Sequence, residues 1–422
     1  MFHHHFKDHP MAVIFLTIFV DLLGAGILIP VVPQLLANPR SPYYLLPHGF
    51  SMSQGFILLG FLTASFSIMQ FIATPILGQL SDKFGRRRLL AISLFGTCIS
   101  YIIFAFGIIT KNLPLLFASR MFDGITGGNI SVAQAAIADV TTPENRAKNF
   151  GMIGAAFGLG FIIGPYIGGK LSDPSLVHWF SATTPFFFAA LLSAVNVASI
   201  LLFFPETLKE KAHELTINWT RSIMNVYHAA THKVLREIFA TVFLFNGGFT
   251  FFTTFFSVYL IEKFSFTQGN IGDFFAYVGI WVAFSQVVIV RQLAKRYSEK
   301  TLIRVGLFGT ALSIFLFFLP HVWWQLLLVA PIMAISNGLT FANITALISK
   351  SVGPRVQGEV LGINASVASL AMSVPPILSG YIAADLSPSA PIWAGGFTIL
   401  AGAFLFLFFY RPQTPDEIEE VE

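Results

Sequence analysis

The sequence predicts an all-helical membrane protein, with twelve transmembrane helices in two six-helix pseudo-symmetric bundles. Three observations lead there: an apolar composition, long apolar runs that recur along the chain, and a second half that repeats the first. Of 422 residues, 55% are hydrophobic, 15% are aromatic and only 11% are charged, and the mean hydropathy is +0.72. A water-soluble fold does not carry so little charge against so much apolar surface.

Apolar runs fall near residues 11–36, 54–78, 88–110, 113–138, 147–171, 184–204, 235–262, 269–294, 301–319, 323–348, 357–384 and 389–410. At about 1.5 Å per residue each is long enough to cross a hydrocarbon layer of roughly 30 Å. The first run lacks a cleavage pattern of small residues and exceeds a signal-peptide core, so it is expected to be a retained helix. The three histidines at positions 3 to 5 are too few to mark a metal site and are given no function.

Twelve spans place both termini on one side, and the basic residues choose the side. Alternate loops collect 20 of the 25 Lys and Arg residues, among them Lys83, Arg86, Arg87, Arg88, Arg146, Arg221 and Lys350. The opposite loops receive Arg40, Lys111, Lys170 and Lys263, and Arg120 lies inside a span. By the positive-inside rule the termini are cytoplasmic. The basic pI of 9.1 then reflects topology and calls for no nucleic-acid partner. The single cysteine, Cys98, lies in the third span, which excludes an intrachain disulfide and a cysteine metal cluster.

A shift of 211 to 213 residues superposes the halves. "QLSDKFGRRRLL" falls on "QLAKRYSEKTLI", and the glycine-rich run from Gly151 falls on the run from Gly362, with Pro165 over Pro376 and Gly169 over Gly380. Parallel six-helix repeats follow, residues 1–207 and 235–422, joined by a polar cytoplasmic linker at 208–234, part of which suits an amphipathic surface helix.

Charge within the spans is sparse, so each exception points to function. Asp21 lies about 15 Å into the first span, and Arg120 and Asp123 lie roughly 12 to 17 Å into the fourth, all near midplane depth. Arg120 and Asp123 are spaced i, i+3 and can pair, which leaves Asp21 as the acid freest to exchange a proton. A static pair fastening the fourth span is the alternative. Polarity in the second half is mainly neutral, with Asn246, Gln286, Asn337, Asn343 and Asn364. The phenylalanines of "FLFNGGFTFFTTFF" offer Phe245, Phe249 and Phe252 as an aromatic wall for a bulky apolar solute. Lipid or core contact is the plainer reading for most of the 47 phenylalanines.

Between the second and third spans, "GQLSDKFGRRRLL" gathers Asp82, Lys83, Arg86, Arg87 and Arg88. Topogenic charge would account for the arginines. Asp82 is different: an acid at a helix end can pair with Arg86 or Arg146, or accept backbone donors at the start of the eleventh helix near Gly358. Asp139, Arg146 and Glu206 lie at the same face and are expected to extend the network. In the fifth span Gly154, Gly158, Gly160, Gly164, Gly168 and Gly169 recur at small-xxx-small spacings with a bend at Pro165, a pattern for close helix packing.

These residues carry a resemblance. Gly78, Leu80, Asp82, Gly85, Arg86 and Arg87, with Lys83 as a basic substitute, match the Gly-x-Leu-x-Asp-Arg-x-Gly-Arg-Arg loop of the major facilitator superfamily. "RMFDGITGG" resembles the family's Arg-x-x-x-Gly-x-x-Gly element. "GLGFIIGPYIGG" resembles the Gly-Pro-x-x-Gly-Gly signature of its antiporters, through Gly160, Gly164, Pro165, Gly168 and Gly169. With "FVDLLGAGILIPVVPQLL" and "IADVTTPENRAKNFG", the chain looks most like the tetracycline exporters of the drug:proton antiporter branch.

The resemblance implies the major facilitator fold, a cavity lined by helices 1, 4, 7 and 10, and an acid at Asp21 that matters for export. It also implies a cytoplasmic gate at Gly78, Asp82, Gly85, Arg86 and Arg87 that favours the outward-facing state. The chain departs from those exporters in the second half, where Val282 and Thr310 stand in place of a histidine and an acid. Proton coupling is therefore expected mostly from the first half, and tetracycline itself becomes a doubtful substrate.

The expected function is a proton-coupled secondary exporter of small amphiphilic or aromatic compounds. A proton-linked importer or facilitator of a small nutrient is the alternative on the same fold. No nucleotide-binding loop, metal-ligand cluster or nucleophile–base arrangement favours an ATP-driven pump or an enzyme. The expected setting is the bacterial inner membrane, as a monomer in lipid, with small-molecule substrate and protons as partners and no cofactor.

Overall fold

The structure is a computed structural model that describes residues 10–47, 49–141, 146–208, 217–232, 235–352 and 357–411, with side chains excluded at 146–155, 157 and 357–359. The histidines at 3 to 5 and the linker residues 209–216 and 233–234 lie outside the described residues. So do the side chain of Arg146 and the contact expected at Gly358.

Residues 10–203 form α1 (Pro10–Leu36), α2 (Met52–Phe84), α3 (Arg86–Ile109), α4 (Leu113–Thr126), α5 (Asn129–Val140), α6 (Arg146–Leu171) and α7 (Thr184–Phe203). The linker contributes α8 (Arg221–Thr231). Residues 236–409 form α9 (Arg236–Phe264), α10 (Gln268–Phe284), α11 (Glu299–Leu316), α12 (Leu326–Lys350), α13 (Gln357–Asp385) and α14 (Ala390–Phe409). Among the described residues nine helices are long and apolar enough to cross a membrane. The expected fourth, fifth and ninth spans are helical but fall outside that group. The fourth is broken, and the ninth, α11, opens with Glu299, Lys300 and Arg304.

Local chemistry explains the ends. Asn112 caps α4 by accepting from the Leu115 N–H at 3.1 Å, with proline in the first turn. Ser298 caps α11 the same way through Thr301. Two boundaries differ from expectation. The arginine-rich stretch was expected as a loop, yet α2 runs through Asp82 and Lys83 to Phe84, and α3 starts at Arg86. Gly85 alone makes the turn, at φ 99°, a conformation that glycine adopts without steric cost. The expected fourth helix, 113–138, breaks at Gly127 and Gly128 into α4 and α5.

Contacts divide the chain into two compact units: Met1–Phe50, Ser65–Trp219 and Phe266–Ala276 in the first, and Ser51–Ala64, Thr220–Ser265 and Tyr277–Glu422 in the second. In the first unit α1 packs along α6, and α3 packs on α4 and α7. A core of Val13, Ile14 and Ile18 from α1, Leu90 and Leu94 from α3, Val132 and Ala136 from α5, and Ile200 from α7 fills the space between them. In the second unit α9 packs on α13 and α14, and α11 on α12. There Phe252, Phe256 and Phe317 cluster, with Phe252 and Phe256 tilted at 4.5 Å between centroids and Phe256 and Phe317 edge to face at 4.9 Å.

Candidate functional site

The three charges expected at midplane depth all lie in the first unit, and they divide into a closed pair and a separate acid. Arg120 Nη1 meets Asp123 Oδ2 at 2.5 Å, one turn apart on α4, and both residues are buried. The Arg120 guanidinium lies 4.4 Å from the Phe66 ring centroid of α2, and Thr97 of α3 shares a hydrogen bond with Thr126 of α4 at 3.2 Å. Charges taken out of water need such complete partnering, since each pays a desolvation cost of several kcal/mol or about that order. Asp21 is half-buried on α1 and accepts instead from a neutral amide, Asn129 Nδ2, at 3.1 Å. It remains within Coulombic reach of Arg120 and Asp123.

At the arginine-rich end, Arg86 organises a network within the same unit. Its guanidinium contacts Asp82 Oδ1 at 2.6 Å and Asp139 Oδ2 at 3.1 Å, and it also donates to the Ser81 hydroxyl. Its backbone N–H donates to Glu206 Oε1 at 2.8 Å, which places a carboxylate at the N-terminus of α3. Thr207 Oγ1 donates to Asp139 Oδ2 at 3.2 Å, and Arg87 donates to the Leu201 carbonyl. Gly85 is required twice, for its positive φ and because a Cβ there would overlap the Glu206 carboxylate. Gly78 makes no close approach, its virtual Cβ lying 3.9 Å from Ser131 Oγ.

On α6 the glycines serve packing. A Cβ on Gly160 would lie 2.6 Å from Leu22 Cβ, one on Gly164 2.5 Å from the Leu23 oxygen, and one on Gly168 2.6 Å from the Ile27 oxygen, so this stripe lies flush on α1. Pro165 fills the notch left by Gly26. Gly169 faces another way, with a virtual Cβ 3.0 Å from Gly272 Cα at the start of α10. Gly158, expected in the packed stripe, has open space around it.

In the second unit Asn246 and Asn343 donate to carbonyls one turn back, Val242 at 2.9 Å and Leu339 at 2.7 Å. Asn337 is half-buried, and Gln286 lies in a π-helical turn, Ser285–Val290, that continues α10. Such turns recur at functional positions in helices. Of the three phenylalanines, Phe245 and Phe252 are buried while Phe249 is half-buried between them, 6.4 and 5.9 Å from their ring centroids. Thr310 is buried and bonded to the Gly306 carbonyl.

Sequence reasoning did not single out Asn129, Thr97, Ser81 or Thr207. For Asn129 a signal was present, since it is an amide directly following Gly-Gly in a largely apolar run; the hydroxyls give none, because Ser and Thr sit freely in membrane helices by bonding their own backbone.

The family model for the Major Facilitator Superfamily matches residues 14–374 and 240–422. The tetracycline resistance protein, class H, of Pasteurella multocida is 31% identical over 417 residues, spanning 96% of this chain and 98% of that protein. Multidrug resistance protein 2 of Bacillus subtilis is 29% identical over 92% of this chain and 91% of its own. Among solved structures, a D-xylose-proton symporter superposes with a TM-score of 0.73 at 16% identity, covering 95% of this chain and 98% of that one, which is a likeness of fold. The departures at Val282 and Thr310 leave this frame intact. Matched over most of its length and related end to end at this identity, the chain belongs to the major facilitator superfamily.

Proposed function

We propose that the protein is a proton-coupled antiporter that exports small amphiphilic or aromatic compounds by alternating access. Its relatives include proteins named for tetracycline, multidrug and quinolone resistance. The observation that carries the coupling is the division of charge in the first unit. Arg120 is closed on Asp123, whereas the hydrogen-bond partner of Asp21 among the described residues is the Asn129 amide. A guanidinium stays protonated, so it can bias neighbouring acids but cannot be the proton's site. Asp21 is the acid placed to load and release it, and Arg120 would move toward Asp21 when that carboxylate is ionised.

Asn246, Gln286, Asn337, Asn343 and Phe249 supply the neutral, aromatic side of the substrate path, with Phe245 and Phe252 backing Phe249. Asp82, Arg86, Asp139 and Glu206, with Gly78, Gly85, Arg87 and Arg146, act as the gate at the cytoplasmic face. Gly160, Gly164, Pro165, Gly168 and Gly169 seal α6. The working halves are residues 1–207 and 235–422, both termini face the cytoplasm, and a monomer in the bacterial inner membrane suffices.

The test is proteoliposome transport of tetracycline, a quinolone and an apolar dye under an imposed pH gradient. Asp21→Asn should abolish proton-driven movement while the protein stays folded. Undiminished pH-driven transport in that variant would refute the coupling role, and net flux of every compound with the proton would refute antiport.

A further inference from the structure

We infer that Asn129 is a positioning residue for the Asp21 carboxylate and ties it to the break between α4 and α5; this rests on the reading of Asp21 as the proton-carrying acid. Asn129 is only 2% exposed and is the first residue of α5. A buried amide without a partner is costly in an apolar setting, and its Nδ2 is satisfied by Asp21 Oδ1 at 3.1 Å.

The break is fixed on its other side by α2. Gln70 Nε2 donates to the Gly127 carbonyl at 2.9 Å, and Ser131 Oγ donates to the Thr74 carbonyl at 3.0 Å. A Cβ on Gly128 would lie 3.0 Å from Thr74 Cα, so α2 lies directly against the interrupted backbone. Gly127 N–H in turn donates to the Asp123 carbonyl at 2.6 Å. One break therefore carries the backbone of the ion-paired acid before it and the amide that holds the second acid after it.

The chemistry is one-sided. An amide N–H stays a donor at every physiological pH, and it binds an ionised carboxylate more strongly than a neutral one. Asn129 thus favours the proton-free form of Asp21 in this arrangement and weakens its hold when the proton arrives. The charged and titratable groups around Asp21 are Asp123 and Arg120 from α4 and Tyr101 from α3, so Asn129 acts beside them as the neutral contact.

The experiment is infrared titration of the purified protein in lipid nanodiscs, which needs no substrate. Wild type should show a carboxylic C=O band that is missing in Asp21→Asn. In Asn129→Ala, and in Asn129→Ser, which keeps polarity but is too short to reach the carboxylate, that band should titrate about one pH unit higher. The serine variant serves if the alanine variant does not fold. A band lost in Asp21→Asn but with an unmoved midpoint in the Asn129 variants would overturn this inference and leave the proton reading standing. No band assignable to Asp21 would overturn both.

Discussion

The same helix crossing occurs once in each unit, and the two versions use different chemistry. In the first unit α6 meets the start of α10 at Gly169 and Gly272; in the second the start of α2 meets α13 at Gly60 and Gly380. The shift that superposes the sequence halves carries one glycine pair onto the other. Beside the first crossing lies an ion pair, Lys170 Nζ to Asp273 Oδ2 at 2.9 Å. At the equivalent positions of the second crossing lies an edge-to-face aromatic pair, Phe61 and Tyr381, with centroids 6.1 Å apart.

The arginine-rich end shows the same divergence. Arg86 on Asp139 in the first unit is answered in the second by Glu299 on Lys350, the same positions with the charges exchanged. The lesson is that backbone approach is the inherited constraint, because only a missing side chain permits it. Neighbouring side chains need only attract one another, and many pairs do.

Predictions follow from breaking one member of each comparison, starting with the largest effect. Arg120→Ala leaves Asp123 buried without its partner, a change worth about 3–5 kcal/mol when a buried pair is broken. The expected outcome is loss of transport with reduced folded yield, whereas Arg120→Lys retains charge and part of the coupling. Substrate affinity measured against pH separates the two, and ordinary pH dependence in well-folded Arg120→Ala would leave the pair a static fastening.

Next, Gly164→Ala forces a Cβ onto the Leu23 carbonyl and should cost about 1–3 kcal/mol, as overpacking does. Gly158→Ala, six residues earlier on the same helix with open space around it, should be near neutral. Thermal unfolding in detergent compares them directly, and equal losses would remove the packing account of α6.

The two crossings should respond differently to salt. Asp273→Asn removes an exposed ion pair worth about 0–1 kcal/mol, and that cost should shrink as salt is raised. Tyr381→Ala removes an aromatic pair worth about 0.5–1.5 kcal/mol beyond its area, and that cost should not respond to salt. Unfolding midpoints at low and high salt supply the check.

The smallest effect belongs to Glu299, whose carboxyl is held below the usual range by its hydrogen bond from Lys350. A depressed acid contributes above its unfolded value of about 4.3 and loses that contribution as pH falls through its lower folded value. Lys350→Ala should cost a few tenths of a kcal/mol or about that near neutrality, as exposed pairs do, and nothing once the pH is below both values. A penalty that persists in acid would assign the residue a packing role.

Much of this was legible in the chain. The runs expected at 357–384 and 389–410 became Gln357–Asp385 and Ala390–Phe409, because polar and proline-bearing ends bound an apolar stretch too long for anything but a span. The i, i+3 spacing of Arg120 and Asp123 also foretold their pairing, since helix geometry makes neighbours of such residues. The Asp21–Asn129 bond was not legible, because helical periodicity assigns a face and says nothing of the partner facing it.

By itself the sequence determined the membrane class, the repeated halves, the family and the scarce charges on which a mechanism can rest. Each of these depends on composition or on spacing along one chain. Tertiary structure alone decided that α2 continues to Phe84, that Gly127 and Gly128 interrupt the fourth helix, and that Asp21 rests on an amide rather than on Arg120. The reason is physical: a glycine can bend, cap or lie flush within a helix at similar local cost, and a buried polar group is satisfied by whichever donor the packing brings within about 3 Å.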